Sequence, residues 1–265
     1  MAGQPEDSAL LIQIGKKLRQ VYVPGGNWRI PDDVNPQLEM LDRLAWQSNR
    51  MYSLFDFSKP DYLYYSSNLS VLIGLEVSAD RPLKWDSRYL SVVQNRKSIS
   101  DFITIRQQLL QSVPARTGAL PLSSVCGGTI VNLRNQRMRL HYRCTPLVMD
   151  DTGNVMLSFD YLEDITPLMT STEGYWMRFL IGEHTVHWHS STRRIVHKDI
   201  ISPREKNLIS LWRHGHSVAE IAEIACVNPQ TAKNQLNTVR NRLFARDNTS
   251  LAQLCTLTSL LEPAF

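Results

Sequence analysis

Cysteine is scarce in this chain. The four, Cys126, Cys144, Cys226 and Cys255, form no C-x-x-C pair and no zinc-ligand spacing, so neither a disulfide framework nor a structural metal site is expected. Long apolar runs are also missing. None approaches the ~18–20 residues a membrane helix needs, and no membrane partner is expected. Met1 to Gln20 is acidic first and amphipathic later. It has no basic stretch, apolar core or small-residue cleavage site of a secretory leader. These absences together predict a reduced, cytoplasmic protein. Enzyme signatures are absent as well: no G-x-S-x-G elbow, Walker loop, dinucleotide fingerprint or zinc-hydrolase motif occurs. The expectation is a protein that is not an enzyme, with no cofactor evident and no metal site.

The composition that remains is ordinary for a globular protein, with 43% hydrophobic and 20% charged residues. A chain of 265 residues suggests two domains at ~100–200 residues each, each large enough to bury its own core. The formal net charge of +4 leans towards an anionic partner, and its placement says more than its sum. From Asn228 to Arg246 there are four cations, Lys233, Arg240, Arg242 and Arg246, and no acid.

Along the chain the hydrophobic period changes twice. Leu10, Leu11, Ile14, Leu18 and Val21 recur at helical spacing, and Pro24-Gly25-Gly26 breaks that pattern. Asn35-Pro36 reads as a cap and first helical residue, with Leu38, Leu41, Leu44 and Ala45 on one face. From about Tyr52 strands take over, at Tyr62–Tyr65, Arg137–Thr145 and Asn154–Leu162. Asp150-Asp151-Thr152-Gly153-Asn154 reads as the turn of an antiparallel hairpin. A further β segment, rich in Trp and His, is expected within Tyr175–Ile195.

The last 65 residues or so read as four short helices. Ser202-Pro203-Arg204-Glu205 and Ser217-Val218-Ala219-Glu220 are both capping boxes. His214-Gly215 ends the first helix, Asn228-Pro229 opens the third, and Thr249 or Ser250 the fourth. A short helix at Val218–Ala225, a turn of three or four residues and a longer helix form the helix-turn-helix pattern. In the third helix Ala232, Leu236, Val239 and Leu243 form the core stripe. Gln230, Lys233, Asn234, Asn237 and Asn241 form the opposite one. An amide-rich, acid-free face suits the major groove, where Asn and Gln pair with adenine and Lys reaches guanine acceptors. Thr231, Gln235, Thr238 and Arg242 flank it, in reach of phosphates.

Ile201-Ser202-Pro203-Arg204-Glu205, Gly215-His216-Ser217, Glu220-Ile221-Ala222, Thr231-Ala232-Lys233-Asn234-Gln235 and Arg242-Leu243 resemble, in order and spacing, the LuxR-type (GerE/NarL-like) helix-turn-helix. The resemblance covers about residues 201–260. It implies a four-helix domain whose third helix enters the major groove and whose fourth often forms a dimer contact. Lys233, Asn234 and Asn237 then sit at positions that commonly read bases. Gln235 stands where the family often has histidine, and Val218-Ala219 replaces its usual polar pair. Upstream, Tyr64-Tyr65-Ser66-Ser67-Asn68 with Leu72-Ile73-Gly74 resembles the opening of a PAS domain. Thr145-Pro146-Leu147, Asp151-Thr152-Gly153 and Glu163-Asp164-Ile165-Thr166 resemble its closing hairpin. That resemblance implies a sensor or dimerisation module. Thr166-Pro167 also reads as a helix start, capped by Thr166.

The fold class expected is α+β: an antiparallel-sheet PAS-like domain preceded by helices, then an all-α four-helix LuxR-type domain. The boundaries are 1–50 for an N-terminal helical segment, 52–168 for the PAS-like domain, 169–200 for a linker with a β segment, and 201–265 for the DNA-binding domain. The expected partners are double-stranded DNA and a second copy of the chain, with RNA polymerase and a small-molecule ligand as further candidates. Thr231, Lys233, Asn234, Gln235, Asn237, Thr238, Arg240, Arg242 and Arg246 are the expected DNA-binding residues. Two rival readings stand beside this one. In the first, the helices contact a protein of the transcription machinery without specific DNA binding. In the second, a haem- or flavin-based redox sensor controls the DNA-binding domain, although no flavin-adduct motif surrounds Cys126 or Cys144 and His141 is a poor haem ligand. His184, His187 and His189 lie close in sequence without a cysteine or carboxylate at fixed spacing. They favour a stacked strand over a metal site.

Overall fold

The computed structural model describes residues 5–26, 29–59, 61–74, 101, 104–105, 108, 122–151, 154–181 and 184–261. The chain divides into two compact units. Unit 1 comprises Met1–Ser123, Thr129–Met138 and Tyr142–Asp164, and unit 2 comprises Ser124–Gly128, Arg139–His141 and Ile165–Phe265.

Unit 1 opens with α1 (Pro5–Val21) and, after a 3-10 turn at Asp32–Val34, α2 (Asn35–Ser48). Asn35 is not the cap expected of it. The 3-10 turn runs straight into the helix, so Val34 is the cap residue and Asn35 is already helical at φ −54° and ψ −43°. The helix stops at Asn49, which adopts the left-handed conformation (φ 54°) that Asn tolerates better than most residues. Then follow β1 (Arg50–Asp56), β2 (Asp61–Tyr65), α3 (Leu69–Ile73), β3 (Leu122–Val131), β4 (Arg137–Met149) and β5 (Val155–Asp164).

The strand order in unit 1 is β2-β1-β5-β4-β3. β1 pairs antiparallel with both β2 and β5, and Leu54 lies opposite Phe159. Alternation sends Tyr52, Leu54, Leu157 and Phe159 into one core with Ile14, Leu18, Leu38, Leu41 and Ala45 of the two helices. Leu10 and Leu11 lie outside the residues whose side chains are described. Tyr22, just past α1, donates its hydroxyl to Asp56 at 2.9 Å and so ties the helix end to the end of β1. The β4–β5 turn is closed by Asn154, whose backbone and side-chain N–H groups donate to the Asp150 carboxylate at 2.7 and 2.9 Å. Thr152 and Gly153, expected in that turn, lie outside the described residues.

Unit 2 takes the central stretches of β3 and β4 and adds β6 (Trp176–Ile181), β7 (His184–His189) and β8 (Ile195–Val196). β6–β7 and β7–β8 are antiparallel pairs. Thr166 does not cap a helix. Its hydroxyl accepts the Arg139 N–H at 2.7 Å, and Ile165 stands as the cap residue of a 3-10 turn at Thr166–Leu168. The buried Arg139 guanidinium gathers the carbonyls of Gly127, Thr170, Thr172 and Gly174. Four helices complete the unit: α4 (Pro203–Arg213), α5 (Val218–Ile224), α6 (Pro229–Arg242) and α7 (Asn248–Leu257). Their shared core contains Leu208, Ile209, Ile221, Ala222, Leu236, Val239, Leu251 and Leu254 together with Trp176 of β6. No helix among the described residues is long and apolar enough to cross a membrane.

Candidate nucleic-acid interface

The helix starts follow from side-chain oxygens placed to accept orphan backbone N–H groups. Ser202 and Ser217 each close a complete capping box, with Glu205 and Glu220 accepting the cap N–H at 2.7 Å in both. Asn228 accepts the Thr231 N–H at 2.7 Å and starts α6, with Pro229 in its first turn. α7 begins before the expected Thr249 or Ser250, because Asp247 accepts the Ser250 N–H at 2.7 Å.

The helix stops share one device. Each of the four ends in a paired arrangement of i−5 and i−3 hydrogen bonds around a left-handed residue. Around Gly215, His216 N–H reaches Leu211 and Gly215 N–H reaches Trp212. Only Gly215 is a glycine; the same position after α5, α6 and α7 is held by Cys226, Phe244 and Ser259 at φ 52°, 58° and 53°. A non-glycine in this conformation costs about 1–2 kcal/mol. Cys226 is exposed, so Cys226→Gly removes that strain without opening the core. The gain is partly offset by the freer unfolded chain. A net stabilisation of about 0.5–1 kcal/mol in urea unfolding is expected, and a destabilised variant would contradict the geometry.

Phe244 tolerates the same strain because its ring is wedged. It stacks on His189 with centroids 5.0 Å apart and planes inclined by 24°. A Cβ at Gly174 would overlap the same ring, so residue 174 must be glycine. The chain after α6 is held by backbone pairing: Met169 bridges Ala245, Thr170 N–H donates to Phe244 and Arg246 N–H donates to Leu168.

α5, the turn through Cys226 and α6 have the helix-turn-helix sequence of elements. In α6 the stripe Ala232, Leu236, Val239 and Leu243 is buried. At about 100° per residue, Asn234 and Asn241 point opposite this stripe, with Gln230, Asn237 and Thr238 beside them. Lys233, Asn234, Thr238, Asn241 and Gln230 are exposed, while Asn237 and Arg240 are half-buried. Lys233 and Arg240, seven residues apart, share one flank, and neither has an ion-pair partner among the described residues. Gln230 donates to the Asn234 carboxamide oxygen at 2.8 Å, so the two amides are already ordered. The Thr238 hydroxyl donates back to the Asn234 carbonyl at 2.9 Å. Arg246 lies beyond the helix, exposed, with Asp247 3.5 Å away.

The other flank is different. Thr231, Gln235 and Arg242 are half-buried there, and the Gln235 side-chain oxygen is buried without a hydrogen-bond partner. Arg242 lies nine residues from Lys233, half a turn around the helix. Its guanidinium forms a two-pronged pair with Glu205 at 3.0 and 3.1 Å and donates to the Ile200 carbonyl at 3.0 Å. That places Arg242 in the scaffold, clamping the start of α4 to the end of α6.

Glu205 therefore serves two elements at once. Burial opposes its ionisation, but the hydrogen bonds from Arg242 and from the Ser202 N–H outweigh it and hold the carboxyl below its ordinary range. A carboxylate with a depressed folded-state pKa stabilises the fold above its unfolded pKa, and that contribution is lost as pH falls through the folded value. The stability difference between wild type and Glu205→Gln is expected to be full at neutral pH and to shrink below the ordinary carboxylate range. A difference independent of pH would contradict the clamp.

The three neighbouring histidines serve separate partners. His184 is exposed, and His187 Nδ1 lies 2.7 Å from the Lys198 carbonyl. Burial, despite that bond, pushes the His187 pKa down. The buried His189 donates Nε2–H to the Arg242 carbonyl at 2.7 Å, since a carbonyl can only accept. Among the described residues no group of three or more His, Cys, Asp or Glu is placed to hold a metal ion.

No family model matches the chain, and no curated protein does. Among solved structures the chain is similar to VqmA bound to DPO, at 15% identity over 86% of this chain and 94% of that one, with a TM-score of 0.29. It is similar to the Vibrio cholera VqmA–ligand–DNA complex at 14% identity over 86% and 90% of the two chains, with a TM-score of 0.32. Over 49% of its length it is similar to a PAS domain from Colwellia psychrerythraea, at 12% identity, 98% of that chain and a TM-score of 0.31. All three are distant likenesses.

Proposed function

We propose that this protein is a sequence-specific DNA-binding transcriptional regulator of the LuxR type, acting as a homodimer in the cytoplasm. In this reading α6 lies in the major groove with Lys233, Asn234 and Asn237 towards the base edges. Arg240 and Arg246 meet phosphates, with Thr231, Gln235 and Thr238 on the flanks, and Arg242 positions α6 against α4. Unit 1 is a PAS-like input module that takes a signal, such as a small-molecule ligand, or joins two copies. Its support there is a β1–β2 hairpin, a short helix and strands returning beside β1. The proposal includes no haem or flavin, so visible absorption by the purified protein would contradict that part.

One observation carries the DNA reading. The helix after the turn exposes a seam of amides and cations without a single acid, opposite a fully buried apolar stripe. A face that merely met solvent would tolerate carboxylates, whereas a face meeting the phosphate-lined groove excludes them. The test begins with selecting fragments of the source genome on the purified full chain. Lys233→Ala should then weaken binding to the selected site by about 1–3 kcal/mol and relax its sequence preference. Unchanged affinity and preference would remove Lys233 from the reading face.

A further inference from the structure

The seam on α6 is not the only acid-free cationic stretch. From His184 to Lys198 the chain contains Arg193, Arg194 and Lys198, four histidines and no acid. The two arginines occupy the tight turn between β7 and β8. Arg193 sits at φ 51°, and both Thr192 and Arg193 N–H groups donate to the His189 carbonyl, at 3.2 and 2.8 Å. Arg193, Arg194 and Lys198 are exposed, and none has an ion-pair partner among the described residues. The nearest following acid, Asp199, is committed to Arg178 and Lys206 at 3.0 and 2.8 Å.

The base of this turn is fixed to the end of α6. His189 donates to the Arg242 carbonyl and stacks on Phe244, while Ser190 and Tyr175 close the hairpin with reciprocal bonds of 3.0 Å. Even fully extended, four residues reach only about 13–14 Å, and this turn is folded back on His189. Arg193 is thus held within about one major-groove width (~12 Å) of the end of the helix proposed to occupy that groove.

We infer that the β7–β8 turn is a second phosphate-binding element, a small wing that grips the duplex backbone beside the groove read by α6. Its partner is the DNA backbone, a polyanion recognised by charge rather than by sequence. Its cations act without touching base edges, so they add affinity equally at every site. This inference rests on the DNA-binding reading and extends its footprint to residues outside the four helices.

The test uses the full chain with Arg193→Gln and Arg194→Gln combined, both changes at exposed positions. The control pair Lys16→Gln and Arg19→Gln removes the same charge from α1. Binding to a mixed-sequence duplex and to a selected genomic site is followed across a salt series. The wing variant is expected to flatten the slope of log Kobs against log salt by about 1.8 per protomer, from ~0.9 for each phosphate contact. It should lose the same factor of affinity on both duplexes and keep the sequence preference, whereas the control pair leaves the slope unchanged. An unaltered slope, or a change matched by the control pair, would overturn the wing while leaving α6 as the reader. Wild-type protein that retains neither duplex would overturn both readings.

Discussion

Asp199→Ala is expected to destabilise unit 2 by about 3–5 kcal/mol, since truncating one partner of a buried pair strands the other charge. Asp199 accepts from Arg178 through both carboxylate oxygens at 3.0 Å and pairs with Lys206 of α4 at 2.8 Å. The Arg178 side chain is only 4% exposed. Its remaining partner is the Ser259 carbonyl at 3.3 Å, just past α7. One carboxylate thus joins β6, α4 and the end of α7. An exposed ion pair would contribute only about 0–1 kcal/mol, so the burial of Arg178 decides the magnitude. Urea unfolding of the full chain, followed through the transition that carries α4–α7, measures it. Asp199→Asn keeps the shape but not the charge and should fall between wild type and alanine. A loss below about 1 kcal/mol for Asp199→Ala would place this pair with ordinary surface bridges.

Asn234→Glu is expected to cost at least about 100-fold in affinity for duplex DNA, because like charges brought together at an interface cost several kcal/mol. Asn234 is exposed at the middle of the seam, opposite the buried stripe. Glutamate there is as good a helix former as asparagine or better, so the helix should persist and the circular dichroism spectrum should match wild type. Asn234→Gln controls for side-chain length and should retain most of the non-specific affinity. An acid at position 234 that left DNA binding intact would mean that this face does not approach phosphates.

How much of this was legible depends on the range of the interactions. The starts of α4, α5 and α6 are local events, a cap oxygen and an N–H three residues on, and Ser202, Ser217 and Asn228 announce them. The core stripe of α6 is equally local, fixed by the helical period. The stops at Cys226, Phe244 and Ser259 gave no signal, because sequence reasoning looks for glycine where these three residues take the left-handed turn. Phe244 takes it because His189, far away in sequence, stacks on its ring. Arg242 looked like a phosphate contact for the same reason: Glu205, which holds it, lies 37 residues away. The strands at Tyr62–Tyr65, Arg137–Thr145 and Asn154–Leu162 were visible from alternation, though β4 runs on to Met149. The caps expected at Asn35 and Thr166 failed because 3-10 turns place other residues at those positions.

The most direct measurement is retention of duplex fragments from the source genome by purified full-length protein, begun at low ionic strength and repeated as salt is raised. The account predicts that fragments are held at low salt, that a reproducible subset outlasts the rest, and that release is steep on a logarithmic salt scale. Protein that is folded yet holds no duplex at any salt would contradict it.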